Sequence, residues 1–169
     1  MLILVMGVCG SGKTTIGKQL AEVLGARFIE GDDFHPPENI ARMAAGIPLD
    51  DTTRQPWLLA LAEELRRNEE RKETVVLACS ALKDIYRRLL LKYCPDHCIV
   101  WLSANPELLT ERLLARQGHF MPPSLLQSQF ADLEEPATAI KVDVGVTQVE
   151  IIKRLLSQIP RSPEQGNIG

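Results

Sequence analysis

"MGVCGSGKTT", residues 6–15, decides how the rest of the chain is read. The apolar run Leu2 to Val5 leads into it, and an amphipathic stretch with Ile16, Leu20, Val23 and Leu24 follows, so the order is strand, tight loop, helix. Gly7, Gly12, Lys13 and Thr14 satisfy GxxxxGK[ST]. Glycines let such a loop curl until successive backbone N–H groups point inward, and the helix start adds partial positive charge. Residues Gly7, Val8, Cys9, Gly10, Ser11, Gly12, Lys13, Thr14 and Thr15 are therefore the expected phosphate cradle. Lys13 reaches the outer phosphates of a nucleoside triphosphate, and the Thr14 hydroxyl is placed to ligate Mg²⁺.

The 169 residues, 45% of them hydrophobic, suffice for one domain with a proper core. Net charge is −3 with Lys and Arg scattered among Asp and Glu, so no basic stripe tracks a nucleic acid backbone. No stretch has the length of a membrane-spanning helix. The apolar start lacks a basic flank and runs straight into glycines, which fits a buried strand better than a secretion signal. A cytoplasmic setting follows, and the cysteines at 9, 79, 94 and 98 are expected to be thiols.

Further strands are expected over 27–30, 74–79, 98–103 and 140–144, with helices between. That alternation predicts an α/β fold, a five-stranded parallel sheet flanked by helices on both faces. One helix is expected to begin at Pro56, with Trp57, Leu61 and Leu65 inward; another starts at Asn105-Pro106 and stops near Gly118. Residues 1–159 form the single domain and the Pro- and Gly-rich 160–169 a flexible tail.

The loop alone leaves a switch GTPase, an assembly ATPase or a small-molecule kinase open. The chain has neither NKxD nor DxxG, and its third strand ends in Cys79-Ser80 rather than an acidic residue. An acceptor pocket is written elsewhere. Asp32, just after the second strand, is the candidate to orient or deprotonate an attacking hydroxyl, with Asp33 as the alternative. His35 is either a hydroxyl binder or a loop-fixing hydrogen bonder. Arg54, Lys83 and Arg87 are cations suited to an anionic substrate. Arg112 and Arg116 share a helix face ahead of "QGHFMPPSLLQSQF", a segment that reads as a lid over about 117–136. There Arg116 would counter charge on the transferred phosphoryl while the lid excludes water.

Together "GVCGSGKTT", "GDDFHPPENIARMAAGIPLDD", "RQPWL", "CSALKDIYR" and "RLLARQGHFMPPSLLQSQFADLEEP" resemble the gluconate kinase (gluconokinase) family across roughly residues 3 to 159. The resemblance implies the P-loop NTPase fold in its nucleoside-monophosphate-kinase-like form with a lid, and commonly a homodimer. It also implies ATP-dependent phosphorylation of D-gluconate at the 6-hydroxyl, feeding the pentose phosphate route. Carried over, Gly10 to Thr14 would cradle phosphates and Mg²⁺, Asp32 would meet the sugar hydroxyl, and His35, Arg54 and Lys83 would line the gluconate site. Arg112 and Arg116 would serve the nucleotide and lid side. Cys9 and Thr14 stand where the family commonly has Ser, and Arg42 where Lys is frequent. The Cys9 departure raises an expectation of sensitivity to thiol reagents.

Overall fold

The computed structural model describes residues 1–115 and 124–160. Five strands, β1 (Leu2–Met6), β2 (Arg27–Glu30), β3 (Val75–Ala78), β4 (His97–Ser103) and β5 (Ile140–Asp143), form one sheet in the order β2-β3-β1-β4-β5. Every neighbouring pair is parallel, with Leu4 opposite Leu77 on one side of β1 and Ile99 on the other. The chain leaves β1 for one edge, returns through β3, then moves to the opposite side of β1 for β4. That reversal opens a crevice at the carboxyl ends of β1 and β3.

The central strand is apolar at every position because both its faces are covered. Alternate residues part to two cores. Ile3 and Val5 join Ile16 and Leu20 of α1 (Lys13–Leu24) together with Ile151 and Leu155 of α7 (Gln148–Gln158). Leu2, Leu4 and Met6 join Trp57, Leu61 and Leu65 of α3 (Asp51–Glu70), and Tyr86 and Leu90 of α4 (Asp84–Leu91). Between β2 and α3 lie a 3₁₀ turn (Gly31–Phe34) and α2 (Pro37–Ala44). Helix α5 (Pro106–Ala115) follows β4, and α6 (Ser124–Asp132) precedes β5.

Some expectations are corrected. Helix α3 begins at Asp51 rather than Pro56, because the Asp50 carboxylate accepts the Thr53 N–H at 2.8 Å and caps an earlier turn. Pro56 then sits in the second turn, where its missing N–H deprives only the carbonyl of Thr52, an exposed residue that water can serve. Val23 is 58% exposed, so the buried stripe of α1 is Ile16, Gly17, Leu20 and Ala21. Asn105 does cap α5, its Oδ1 accepting the Leu108 N–H at 2.8 Å. The expected stop near Gly118, Arg116 and the lid's 117–123 lie outside the described residues, as does the tail beyond 160.

Candidate active site

The phosphate loop is built by its glycines. Gly7 has φ 148°, and a Cβ there would sit 2.7 Å from the Leu102 carbonyl oxygen, so only a bare Cα lets the chain turn off β1. Gly12, at φ 92°, precedes α1 without any side-chain cap, which leaves the first helical N–H groups for a ligand. Lys13 Nζ donates to the Val8 carbonyl at 3.1 Å, so the ammonium lies against the loop it serves. Ser11 Oγ is buried with no hydrogen-bond partner among the described residues.

Two cavities meet at this loop. The first is walled by Cys9, Lys13 and Thr14 of the loop, by Asp32, His35 and Arg54, and by Ser128 and Gln129 of α6. The second is walled by Ser11, Arg112, Val144, Val146 and Gln148, and Gly10, Gly12 and Thr15 belong to both. Arg112 is fixed there by donation from Nη2 to the Val144 carbonyl at 2.8 Å. Gly7 and Val8 stand off both walls, Val8 being part of the core beneath the loop.

On the acceptor side the 3₁₀ turn delivers Asp32 into the cavity and leaves Asp33 exposed outside it, which separates the two alternatives. His35 is 8% exposed, its ring stacked on Trp57 with centroids 4.0 Å apart. Burial pushes its imidazole down to about 4, with the Asp32 charge opposing and Arg54 assisting, so it is neutral at physiological pH. The Trp57 indole N–H in turn donates to the Gly31 carbonyl at 2.7 Å, tying α3 to the turn that carries Asp32.

Arg54 is helical, not a loop residue, and its Nη1 donates to Asp132 Oδ2 and to the Tyr86 hydroxyl, each at 2.8 Å. Among the described residues its Nη2 is left for a ligand. Lys83 is not on the wall; its ammonium is shared between Asp51 at 2.7 Å and Asp132 at 3.6 Å. The Tyr86 hydroxyl donates to the same Asp51 carboxylate. Arg87 departs from expectation: it is 3% exposed and donates to the Ala81 and Leu82 carbonyls at 3.0 and 2.7 Å. Its guanidinium anchors the β3–α4 loop, where Ala81 holds a positive φ of 43°, and it does not reach the cavity.

Glu30, unmarked by sequence reasoning, ends β2 beside the phosphate loop, where its carboxyl is influenced by Thr14 and Lys13. Burial raises its pKa above the usual carboxylate range, while Thr14 and the Lys13 charge act the other way. Its signal was present in "FIEGDD", where an acid occupies the carboxyl end of a strand beside the loop. The Thr14 hydroxyl and the Glu30 carboxylate are hard oxygen donors of the kind that would suit Mg²⁺, an ion that takes few protein ligands beside phosphates. Among the described residues no group of three or more His, Cys, Asp or Glu could hold a metal alone. All four cysteines are free, and burial raises the Cys9 thiol pKa, which opposes the expected reactivity.

The chain is similar to known proteins along nearly its whole length. A probable gluconokinase of Xenopus tropicalis is 41% identical over 179 residues, covering 95% of this chain and 94% of that protein. The chain belongs to the gluconokinase family. The thermosensitive gluconokinase of Escherichia coli (strain K12) is 47% identical, covering 84% of this chain and 78% of that one. A crystal structure of a gluconokinase from Sinorhizobium meliloti 1021 superposes with TM-score 0.82 at 46% identity, over 92% of this chain and 89% of the other. The broader shikimate kinase family model matches residues 9–139, so membership fixes both the P-loop kinase fold and the class of enzyme, a phosphotransferase.

Proposed function

We propose that the protein transfers the γ-phosphoryl group of Mg·ATP to the 6-hydroxyl of D-gluconate, giving 6-phospho-D-gluconate and ADP. One observation carries the reading: a single cavity is walled both by Asp32 and Arg54 and by Lys13 and Thr14 of the phosphate loop. A sugar acid has a carboxylate for Arg54 and hydroxyls for Asp32, and the relatives named above are gluconokinases.

In this mechanism Asp32 orients the hydroxyl and takes its proton as the O–P bond forms and the bond from the γ-phosphorus to the bridging oxygen breaks, leaving ADP. Lys13 and Arg116 counter the charge on the transferred group. His35, neutral and stacked on Trp57, meets a sugar hydroxyl, and Lys83 adds positive potential beside Arg54. Arg112 serves the nucleotide from the second cavity, which takes the base and ribose. Thr14 and Glu30 would hold Mg²⁺, which neutralises phosphate charge when bound. Of the lid expected over about 117–136, the described part, α6, brings Ser128 and Gln129 to the cavity wall, where it would help exclude water.

We place this activity in the cytoplasm, as a homodimer, on the route from gluconate to the pentose phosphates, with neither nucleic acid nor membrane as partner. The four free thiols support that setting. Light scattering coupled to size exclusion tests the dimer. The activity is tested by coupled ADP release from Mg·ATP with D-gluconate, shikimate, glucose, glycerate and nucleosides as acceptors. Stimulation by gluconate above the others is expected; release that no acceptor stimulates overturns the reading.

A further inference from the structure

The backbone N–H of Cys9 donates to the side-chain Oε1 of Gln129 at 2.7 Å, across 120 residues of chain. Gln129 rides on α6, whose Leu125 and Leu126 are buried in the same apolar core that takes in Val8 and Cys9. The carboxamide is thereby held against the phosphate loop and on the cavity wall.

The two cavities give the loop a direction. Ser11, Arg112 and Val144 wall the second, whereas Cys9, Lys13, Thr14 and Asp32 wall the first. A triphosphate that threads the loop with its base in the second cavity brings its outermost phosphate to Cys9 and Lys13. A loop N–H at that end is a donor for phosphoryl oxygen. It makes one strong hydrogen bond at a time.

We infer that Gln129 is a positioning residue for the γ-phosphate: its Oε1 and a γ-phosphoryl oxygen compete for the Cys9 N–H, so the side chain sets the preference between ATP and ADP. The inference deepens the proposed kinase function and rests on it. Before transfer the γ-phosphoryl oxygen takes the N–H from the carboxamide. After transfer the carboxamide recovers it, which lowers the cost of giving up the phosphoryl group and favours the ADP complex.

The experiment is calorimetric titration of ADP and of the non-hydrolysable triphosphate AMP-PNP into the full chain, with Mg²⁺ and without acceptor. Wild type is compared with Gln129→Ala and Gln129→Glu. Removing the competing oxygen raises the ratio of AMP-PNP to ADP affinity in Gln129→Ala by about threefold to tenfold, the worth of one net hydrogen bond. In Gln129→Glu the ratio falls, because a carboxylate holds the N–H more strongly and repels the γ-phosphate. Affinity for ADP stays near wild type in both. A packing role alone would move both nucleotides, and both variants, in one direction; that result, or an unchanged ratio, overturns the inference alone. Failure of the wild type to bind either nucleotide overturns the kinase reading and this inference with it.

Discussion

Arg54 Nη1 and Asp132 Oδ2 meet at 2.8 Å although 78 residues separate them in sequence, and the Tyr86 hydroxyl shares the same nitrogen. The pair joins the first turn of α3 to the last of α6. A planar fork can hold Asp132 with one nitrogen and a substrate carboxylate with the other; a lysine ammonium cannot reproduce that geometry. Arg54→Lys is therefore expected to raise KM for gluconate about tenfold or more, equivalent to about 1.4 kcal/mol or more, while KM for ATP changes little. Steady-state kinetics in both substrates check this, and parallel rises in the two KM values would count against Arg54 as an acceptor contact.

Asp32 reaches the cavity and Asp33 does not. Asp32→Asn keeps the shape but removes the proton acceptor, so kcat is expected to fall about 10²- to 10⁴-fold. Nucleotide affinity, measured by titration, should stay near wild type. Asp33→Asn should leave turnover close to wild type, and a loss there as large as at Asp32 would refute the assignment.

His35 makes stability depend on acidity. Its imidazole is held down at about 4, from an ordinary 6.5, first by burial and then by Arg54, against the pull of Asp32. Between those values the unfolded chain binds the proton that the folded chain refuses, so stability is lost as pH falls. The contribution of neutral His35 is complete above pH 6.5 and fades towards pH 4. Thermal melts over this range should show a shallower decline in Tm for His35→Gln than for wild type; equal slopes would remove His35 from the cause.

Two glycines differ in what surrounds them. A Cβ on Gly31 would lie 2.6 Å from the Ala78 carbonyl oxygen, in the sheet's own backbone, and 3.2 Å from Cys79 Cβ. Gly31→Ala is expected to cost about 1–3 kcal/mol by overpacking. It should also disturb Asp32 next door, so both Tm and kcat drop. On Gly17 the nearest atom is Phe28 Cε2 at 2.8 Å, the edge of a half-buried ring that can turn. Replacing a helical glycine gains up to about 1 kcal/mol in propensity. Gly17→Ala should thus stay near wild type in Tm, and melts of the two variants side by side decide the contrast.

Much was legible locally. The strand before the loop, the glycine spacing and the helix after it are short-range features, and the expected strands at 27–30 and 98–103 appear as β2 and β4 with nearly those bounds. The start of α3 was misread because Pro56 is a conspicuous signal and the Asp50 cap is a quiet one. Arg87 was misread because a sequence shows that a residue is cationic but not that its guanidinium is committed to the Ala81 and Leu82 carbonyls.

The sequence by itself determined the phosphate loop and the alternation of strand and helix, because backbone curvature and hydrophobic period depend on residues close together along the chain. It also carried the resemblance that the comparisons bear out as family membership. Only the tertiary structure decided which charges face the cavity. Folding brings Asp132 to Arg54 and Lys83, and Gln129 to the Cys9 N–H, across 78 residues in one case and 120 in another. Such pairings depend on where helices pack on the sheet, and no local pattern of residues encodes them.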